Sequence, residues 1–287
     1  MSAIQPIQFY RGVIKINNVN IPFLPGVSLP LPDNYDIPPV IGNDYQLCYG
    51  DGVIMPMFSG NVHLRDTAGE ALSSTFLSPF LSRTSDAFHD TTALTNGIQL
   101  WDGLSGYDIA GVKPDGFTLS GSFGAPLAMS VRYVGTTATE NVGAPPTNST
   151  GFTPCSILRF NKVTFGGNLA SAVESFQLSL SNNHVPNGGL SGGRGPVAMN
   201  AAQQTVALTL TMNAQSAADV DTFLPDGTAI VITITGSSKT RVFTINNPLV
   251  LNRKSRGIAA PHTKRTYEIA CLAANSTAPL SISGTGF

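Results

Sequence analysis

The sequence predicts a mainly β chain built from two tandem modules, residues 1–150 and 151–287, each carrying one short helix. Three observations predict it. Several segments alternate apolar and polar residues with period two, the pattern of half-buried strands. Ser, Thr, Asn, Gly and Pro, the vocabulary of strands and tight turns, stand in for charge, which is 11% of residues against a norm of roughly 25%. One eight-residue pattern also occurs twice: residues 14–21 read IKINNVNI and residues 158–165 read LRFNKVTF, 144 positions on (158 − 14).

Strands are expected in the first half at RGVIKI, GVIMPMF, GIQLW, GFTLSGSF and MSVRYV. The second half is more regular. In TVALTLTM, Val206, Leu208, Leu210 and Met212 share one face and Thr205, Ala207, Thr209 and Thr211 the other. TAIVITIT, FQLSLS, RVFTI and TYEIACLA repeat that design. In LRFNKVTF the apolar positions change face around Asn161, which predicts a turn or bulge there, and the echo puts the same kink at Asn17.

Both expected helices open on a capping-box pattern. One starts at Thr67 with Glu70 three residues on, carries Leu72, Phe76, Leu77, Phe80 and Leu81, and should be bent or shortened by Pro79. The other starts at Ser216 with Asp219, carries Val220, Phe223 and Leu224, and stops at Pro225 and Gly227. The two starts lie 149 residues apart (216 − 67), close to the spacing of the echo, so element order and pattern both favour duplication. Residues 143–154 read as a linker. Residues 182–196, with five glycines, read as a flexible arm; their counterpart at 23–42 is proline-rich.

Hydrophobic residues make up 42%, ample for a core, so the chain folds. A surface so poor in charge suits an assembly better than a free monomer. The formal charge of −1 is unevenly spread: residues 1–150 hold 12 acids and 6 bases (−6), residues 151–287 hold 5 acids and 10 bases (+5). This suits either two solvated faces of opposite bias or the first half of one subunit meeting the second half of its neighbour. Nucleic-acid binding by the basic half is a third reading, without aromatic interleaving to support it. Cys48, Cys155 and Cys271 show no metal-ligand spacing and read as reduced core residues. The N-terminus lacks a basic start and an apolar run, so no signal peptide is expected, and no segment approaches a membrane span.

Enzyme chemistry finds little to stand on. Residues 189–193 satisfy G-x-S-x-G, and Asp219 or Asp221 and then His262 follow in hydrolase order. The match lies in a glycine tract that leads into Pro196 and a strand, where a nucleophile elbow needs a strand entering and a helix leaving. His89-Asp90 reads as a local turn, and Trp101 and Tyr107 as packing residues among glycines. No phosphate loop, zinc motif or calcium loop is present, so neither cofactor nor metal is expected.

A charge-poor β chain with a glycine-rich arm between strands, then TVALTLTM, a capped SAADVDTFL helix and a strand hairpin, resembles the tail tube (major tail) proteins of long-tailed bacteriophages. GFTLSGSFGAPLAMSVRYVGTT and AVESFQLSLSNN also resemble segments of the longer members. The resemblance covers most of residues 97–287 and rests on order and texture. It implies a small β-sandwich or barrel with one flanking helix per module, and subunits that extend their sheets across neighbours into rings. Stacked rings bridged by long loops would form a tube for DNA, with a tape measure protein and tail terminator or tip proteins as partners. The Thr faces of TVALTLTM and TAIVITIT would suit a lumen, since phosphate affinity comes from Lys and Arg. Two modules per chain imply a trimer with pseudo-six-fold symmetry; an ordinary hexamer is the alternative. Gly188, Gly189, Gly192, Gly193 and Arg194 of the arm, and Arg253, Lys254 and Arg256, are the expected contacts between rings and subunits. A capsid decoration or baseplate component, or a carbohydrate-binding β-sandwich, remain open alternatives.

Overall fold

The computed structural model describes residues 13–24, 35–36, 50–51, 56–83, 90–101, 106–141, 155–167, 169, 173–187, 198–212, 224, 227–251, 265–273 and 278–287. It is mainly β. Strand β1 (Val13–Ile16) turns into β2 (Val19–Asn20) through Asn17 and Asn18, whose positive φ of 51° and 66° suit a tight hairpin. There follow β3 (Tyr35–Asp36), β4 (Gly50–Asp51), β5 (Met57–His63), helix α1 (Ser74–Leu81), β6 (Ile98–Trp101), β7 (Gly106–Ala110), β8 (Lys113–Ser122), β9 (Ala128–Val134) and β10 (Thr137–Asn141). The second half holds β11 (Val163–Phe165), β12 (Val173–Ser181), β13 (His184–Asn187), β14 (Ala198–Ala201) and β15 (Thr205–Met212). It ends with β16 (Ile230–Thr235), β17 (Thr240–Ile245), β18 (Pro248–Val250), β19 (Arg265–Cys271) and β20 (Leu280–Ser283).

One seven-stranded antiparallel sheet, in the order β18-β19-β15-β12-β8-β9-β5, crosses the middle of the chain. Its seam is β8 against β12, paired from Gly116↔Ser181 to Ser122↔Ser175. Gly116 is required there: a Cβ would sit 2.5 Å from the Leu180 carbonyl oxygen. Two further sheets run β10-β7-β6-β1-β2 and β20-β17-β16-β11. The pairing order recurs. β8-β9-β5 is matched by β18-β19-β15, β10-β7-β6-β1 by β20-β17-β16-β11, and the small pair β3-β4 by β13-β14. The bridge Phe23↔Val62 beside β5 stands where β12 pairs with β15. Within the seven-stranded sheet the two sets follow one another head to tail.

The recurrence in the structure is one of strand order, and the two echoing octets take different conformations. Residues 14–21 form the β1–β2 hairpin, whereas Leu158 hydrogen-bonds Leu64 and Leu127 through its backbone and Phe160–Lys162 make a 3-10 turn ahead of β11. The chain does turn at both Asn17 and Asn161, but by different geometries.

The inward faces of the three sheets share one contiguous core that includes Val62, Leu119, Met129, Leu178, Leu208, Ile232 and Phe243. Helix α1 buries Phe76, Leu77 and Phe80 against it, with the Phe80 ring 5.4 Å from Phe117 and 5.2 Å from Tyr133. Its start differs from the sequence expectation. Ser73, not Thr67, is the cap and accepts the Phe76 N–H, while Glu70 pairs with Arg65 instead of closing a capping box. Pro79 sits inside a helix of only 8 residues. The region expected as the second helix lies outside the described residues apart from Leu224, which is buried. Among the described residues no helix is long and apolar enough to cross a membrane.

Arg241 is buried, and its guanidinium donates to the carbonyls of Leu72, Ser283 and Gly284, tying the turn before α1 to the end of β20. Arg241→Ala removes one donor from each of three carbonyls and leaves an empty volume behind. It is expected to cost about 3 kcal/mol, read as a lower urea midpoint at an unchanged slope.

Candidate functional site

The side of the seven-stranded sheet turned away from the core is polar and nearly free of charge. From one edge to the other it presents Ser59 and Asn61 on β5, Ser130 on β9, Thr118 and Ser120 on β8, Gln177 and Ser179 on β12, and Ala207, Thr209 and Thr211 on β15. Register makes this one surface, because Asn61, Ser130, Thr118, Ser179 and Ala207 lie in one row of paired residues. Among the described residues of these rows, Arg132, Glu268 and His63 are the titratable ones. The Arg132 guanidinium is held by the Asp115 carboxylate. At the two edges the texture changes: Leu249 and Leu251 are exposed beside β18 and Met57 on β5. The Thr face of β15 thus lies on the shared sheet, whereas that of β16, Val231, Thr233 and Thr235, belongs to a different sheet.

At one end of the sheet a buried polar network fixes the base of the β13–β14 hairpin. Asp115, on β8, accepts the His184 backbone N–H at 2.9 Å and lies 2.9 Å from the ring Nδ1. The ring Nε2 is 2.7 Å from the Thr91 hydroxyl. On β14, the Ala201 N–H donates to Asp90, and the Lys113 ammonium bridges Asp90 and the Met199 carbonyl. Asn182, fully buried, donates to the Phe80 and Pro114 carbonyls and accepts from Arg83 and Gln204. Asp115, His184 and Thr91 stand in the order of a hydrolase triad. With the His184 side chain 0% exposed and Thr91 2% exposed, no substrate reaches the hydroxyl, and the arrangement anchors the hairpin.

Sequence reading misses this network because its members are 69 and 93 residues apart. The one local signal is Asp115 inside the otherwise apolar run of β8. Asp90, expected only in a local turn with His89, is part of the network; His89 itself lies outside the described residues. The arm expected as flexible from residue 182 begins instead with Asn182 pinned and His184–Asn187 paired to Ala198–Ala201. Gly188, Gly189, Gly192, Gly193 and Arg194, the G-x-S-x-G match, Arg253, Lys254, Arg256, His262 and Cys48 all lie outside the described residues. Cys271 is buried, which pushes its thiol up to about 12, and Cys155 receives the Arg65 Nε–H.

Three carboxylates have acidities set by these contacts. Asp66 is held below the usual carboxylate range by the Ser237 hydroxyl and N–H and by Lys239, against the opposing effect of burial. For Asp90 and Asp115 burial pushes upward, but Lys113 with the Ala201 and Thr91 amides, and His184 with Arg132, outweigh it and lower both. A carboxylate with a depressed folded-state pKa adds stability above its unfolded value of about 3.9, and that stability is lost as pH falls through the folded value. Glu70, raised by burial despite Arg65, works in the opposite sense. Melting temperature is therefore expected to hold level above about pH 5 and to fall below about pH 4 as the three depressed groups protonate.

A family model described as phage tail tube protein matches residues 52–279. No curated protein sequence matches the chain. The matched span takes in the shared sheet from β5 to β19 and the polar network. The chain belongs to the phage tail tube proteins, structural components of the tail of the virion.

Proposed function

We propose that the chain closes into rings whose continuous inner wall is made by the seven-stranded sheets, and that these rings stack into the tube through which DNA leaves the virion. The observation that carries this is the head-to-tail recurrence of strand order within one sheet. The β8–β12 seam inside the chain then serves as the pattern for the contact between chains, in which the β5 side of one subunit meets the open edge of β18 in the next. Exposed Met57 and Leu249 lie at those two edges. Ring closure removes both edges.

On this reading the chain is two modules, residues 1–150 and 151–287, alternating around a trimer with pseudo-six-fold symmetry. Each junction then joins the acid-rich half to the base-rich half. Barrel geometry favours three chains over two. With strands ~4.8 Å apart and tilted by ~40°, 21 strands give a backbone diameter of ~42 Å, and 14 give ~28 Å. Side chains take ~10 Å from each, leaving ~32 Å or ~18 Å, and only the former passes a duplex roughly 20 Å across. The Ser/Thr/Asn face suits such a wall because it holds few cations to retain phosphate. Gly188, Gly189, Gly192, Gly193 and Arg194, with Arg253, Lys254 and Arg256, are assigned to contacts between rings and subunits. A tape measure protein inside the tube and terminator and tip proteins at its ends complete the set of partners. The family is a structural one, and no catalytic role is assigned.

Negative-stain microscopy of the purified chain is expected to show rings or tubes whose end views have six lobes alternating in shape. Six identical lobes from six chains would overturn the trimer, and dispersed monomers would overturn the tube.

A further inference from the structure

Phe123, in the turn between β8 and β9, is 85% exposed, an unusual position for a phenylalanine when the other aromatic side chains among the described residues mostly pack inward. It lines an open groove of about 330 Å³ with Gly124, Arg159, Phe160, Asn161 and Val163. The floor is aromatic and apolar. The rim is cationic, from Arg159, whose guanidinium donates to the Gly124 carbonyl, and from the exposed Lys162. The Phe123 N–H bonds the Glu174 carbonyl at the start of β12, so the groove lies at one end of the sheet. The β13–β14 hairpin leaves the other end of β12, seven residues and about 23 Å away.

The chain leaves the described sheet at Leu24 and returns to it at Pro56 at that same far end. Leu24 bonds Asn61 while running antiparallel to β5, and Pro56 re-enters beside Gly135, just ahead of Met57 opposite Val134. Between those points, β3 and β4 bracket residues 37–49, IPPVIGNDYQLCY. That segment has the chemistry the groove asks for. Pro38-Pro39 favours the extended form that seats in aromatic-lined grooves, and Ile37, Val40, Ile41 and Tyr45 supply apolar contacts. Asp44 lies within it and Asp36 and Asp51 flank it, and no Lys or Arg occurs anywhere between Lys15 and Arg65.

We propose that the Phe123–Phe160 groove receives residues 37–49 of a second copy of this chain, in the next ring of the stack. The points at which the chain leaves and re-enters the sheet around the segment lie at the end opposite the groove, so the contact is heterologous. Each copy offers one of each, and the stack grows without closing. Charge sets the direction, since an acidic segment meets a basic rim only when rings stack in one sense. This contact rests on the tube reading and names the surface through which rings grip one another.

The test uses native Cys48 in the segment and Asn161→Cys in the groove. Tubes of this variant, mildly oxidised and run on a non-reducing gel, are expected to give a ladder extending well beyond the copy number of one ring. The ladder should vanish when Cys48→Ser is added. Tubes without a ladder, a ladder that stops at the ring's copy number, or one that survives Cys48→Ser would each overturn the contact while leaving the tube reading intact. Failure of the unmodified chain to form tubes would overturn both. Independently, Arg159→Glu with Lys162→Glu, both exposed and remote from the core, is expected to raise the critical concentration for tube growth about tenfold. Adding Asp44→Lys should recover most of that loss, and an unaltered critical concentration in the double variant would overturn the proposal.

Discussion

With Leu249→Glu and Leu251→Lys together, the chain is expected to fold normally and remain monomeric at concentrations where the unmodified protein forms rings. Both side chains are exposed, 40% and 62%, so the monomer loses little on their replacement. The pair leaves net charge unchanged, and the lysine falls opposite Glu268, whose carbonyl already accepts the Leu251 N–H. In the proposed ring the same positions would be buried against the neighbour's β5 side. Losing two leucine contacts costs about 2 kcal/mol per junction at roughly 25 cal/mol per Å². A closed trimer has as many junctions as chains, so the loss accumulates to about 6 kcal/mol, on the order of 10⁴-fold in ring formation. Light scattering after size exclusion would report 30.0 kDa in place of three times that mass. Rings persisting in this variant would move the junction away from β18.

How far the sequence foretells this architecture differs from element to element. Val206, Leu208, Leu210 and Met212 are all buried, as their alternation requires, because a strand covered on one face carries the whole pattern in its own residues. Strands β7 and β10 escape notice: GYDIA and TATEN are short and polar, and they become strands by pairing with each other and with β6. The start of α1 is missed because Thr67 and Glu70 meet the capping pattern while Arg65, from β5's end, takes the glutamate. Which strands neighbour one another is the least legible property. Nothing in FTLSGS announces that it will lie beside FQLSLS across the midpoint of the chain, yet that pairing makes one sheet of two halves. The polar face of the shared sheet follows the same logic. Its uncharged composition is visible in the sequence, its continuity only in the register.

Asp115→Ala is expected to loosen the hairpin base and lower the stability of the whole chain. The substitution leaves the His184 N–H, the ring Nδ1–H and the Arg132 guanidinium without their acceptor, in a site where the imidazole has no access to water. Breaking a buried pair from one side costs about 3–5 kcal/mol, and at 2–4 °C per kcal/mol the melting temperature falls by roughly 6 °C or more. Asp115→Asn separates charge from geometry. Its carboxamide oxygen still accepts from His184, and Arg132 is half exposed, where an ion pair contributes about 1 kcal/mol or less. The asparagine variant should therefore keep most of the stability, and its shortfall should be smaller in high salt. Hydrogen exchange locates the effect. Amides of β13 and β14 should lose protection in Asp115→Ala while those of β16 and β17, in a different sheet, change little. Equal melting of the alanine variant and the unmodified chain would show that the hairpin is held by something other than this network. If the hairpin loosens as expected, the proposed tube growth should slow as well, because an arm that must first be ordered binds more weakly than one already held in place.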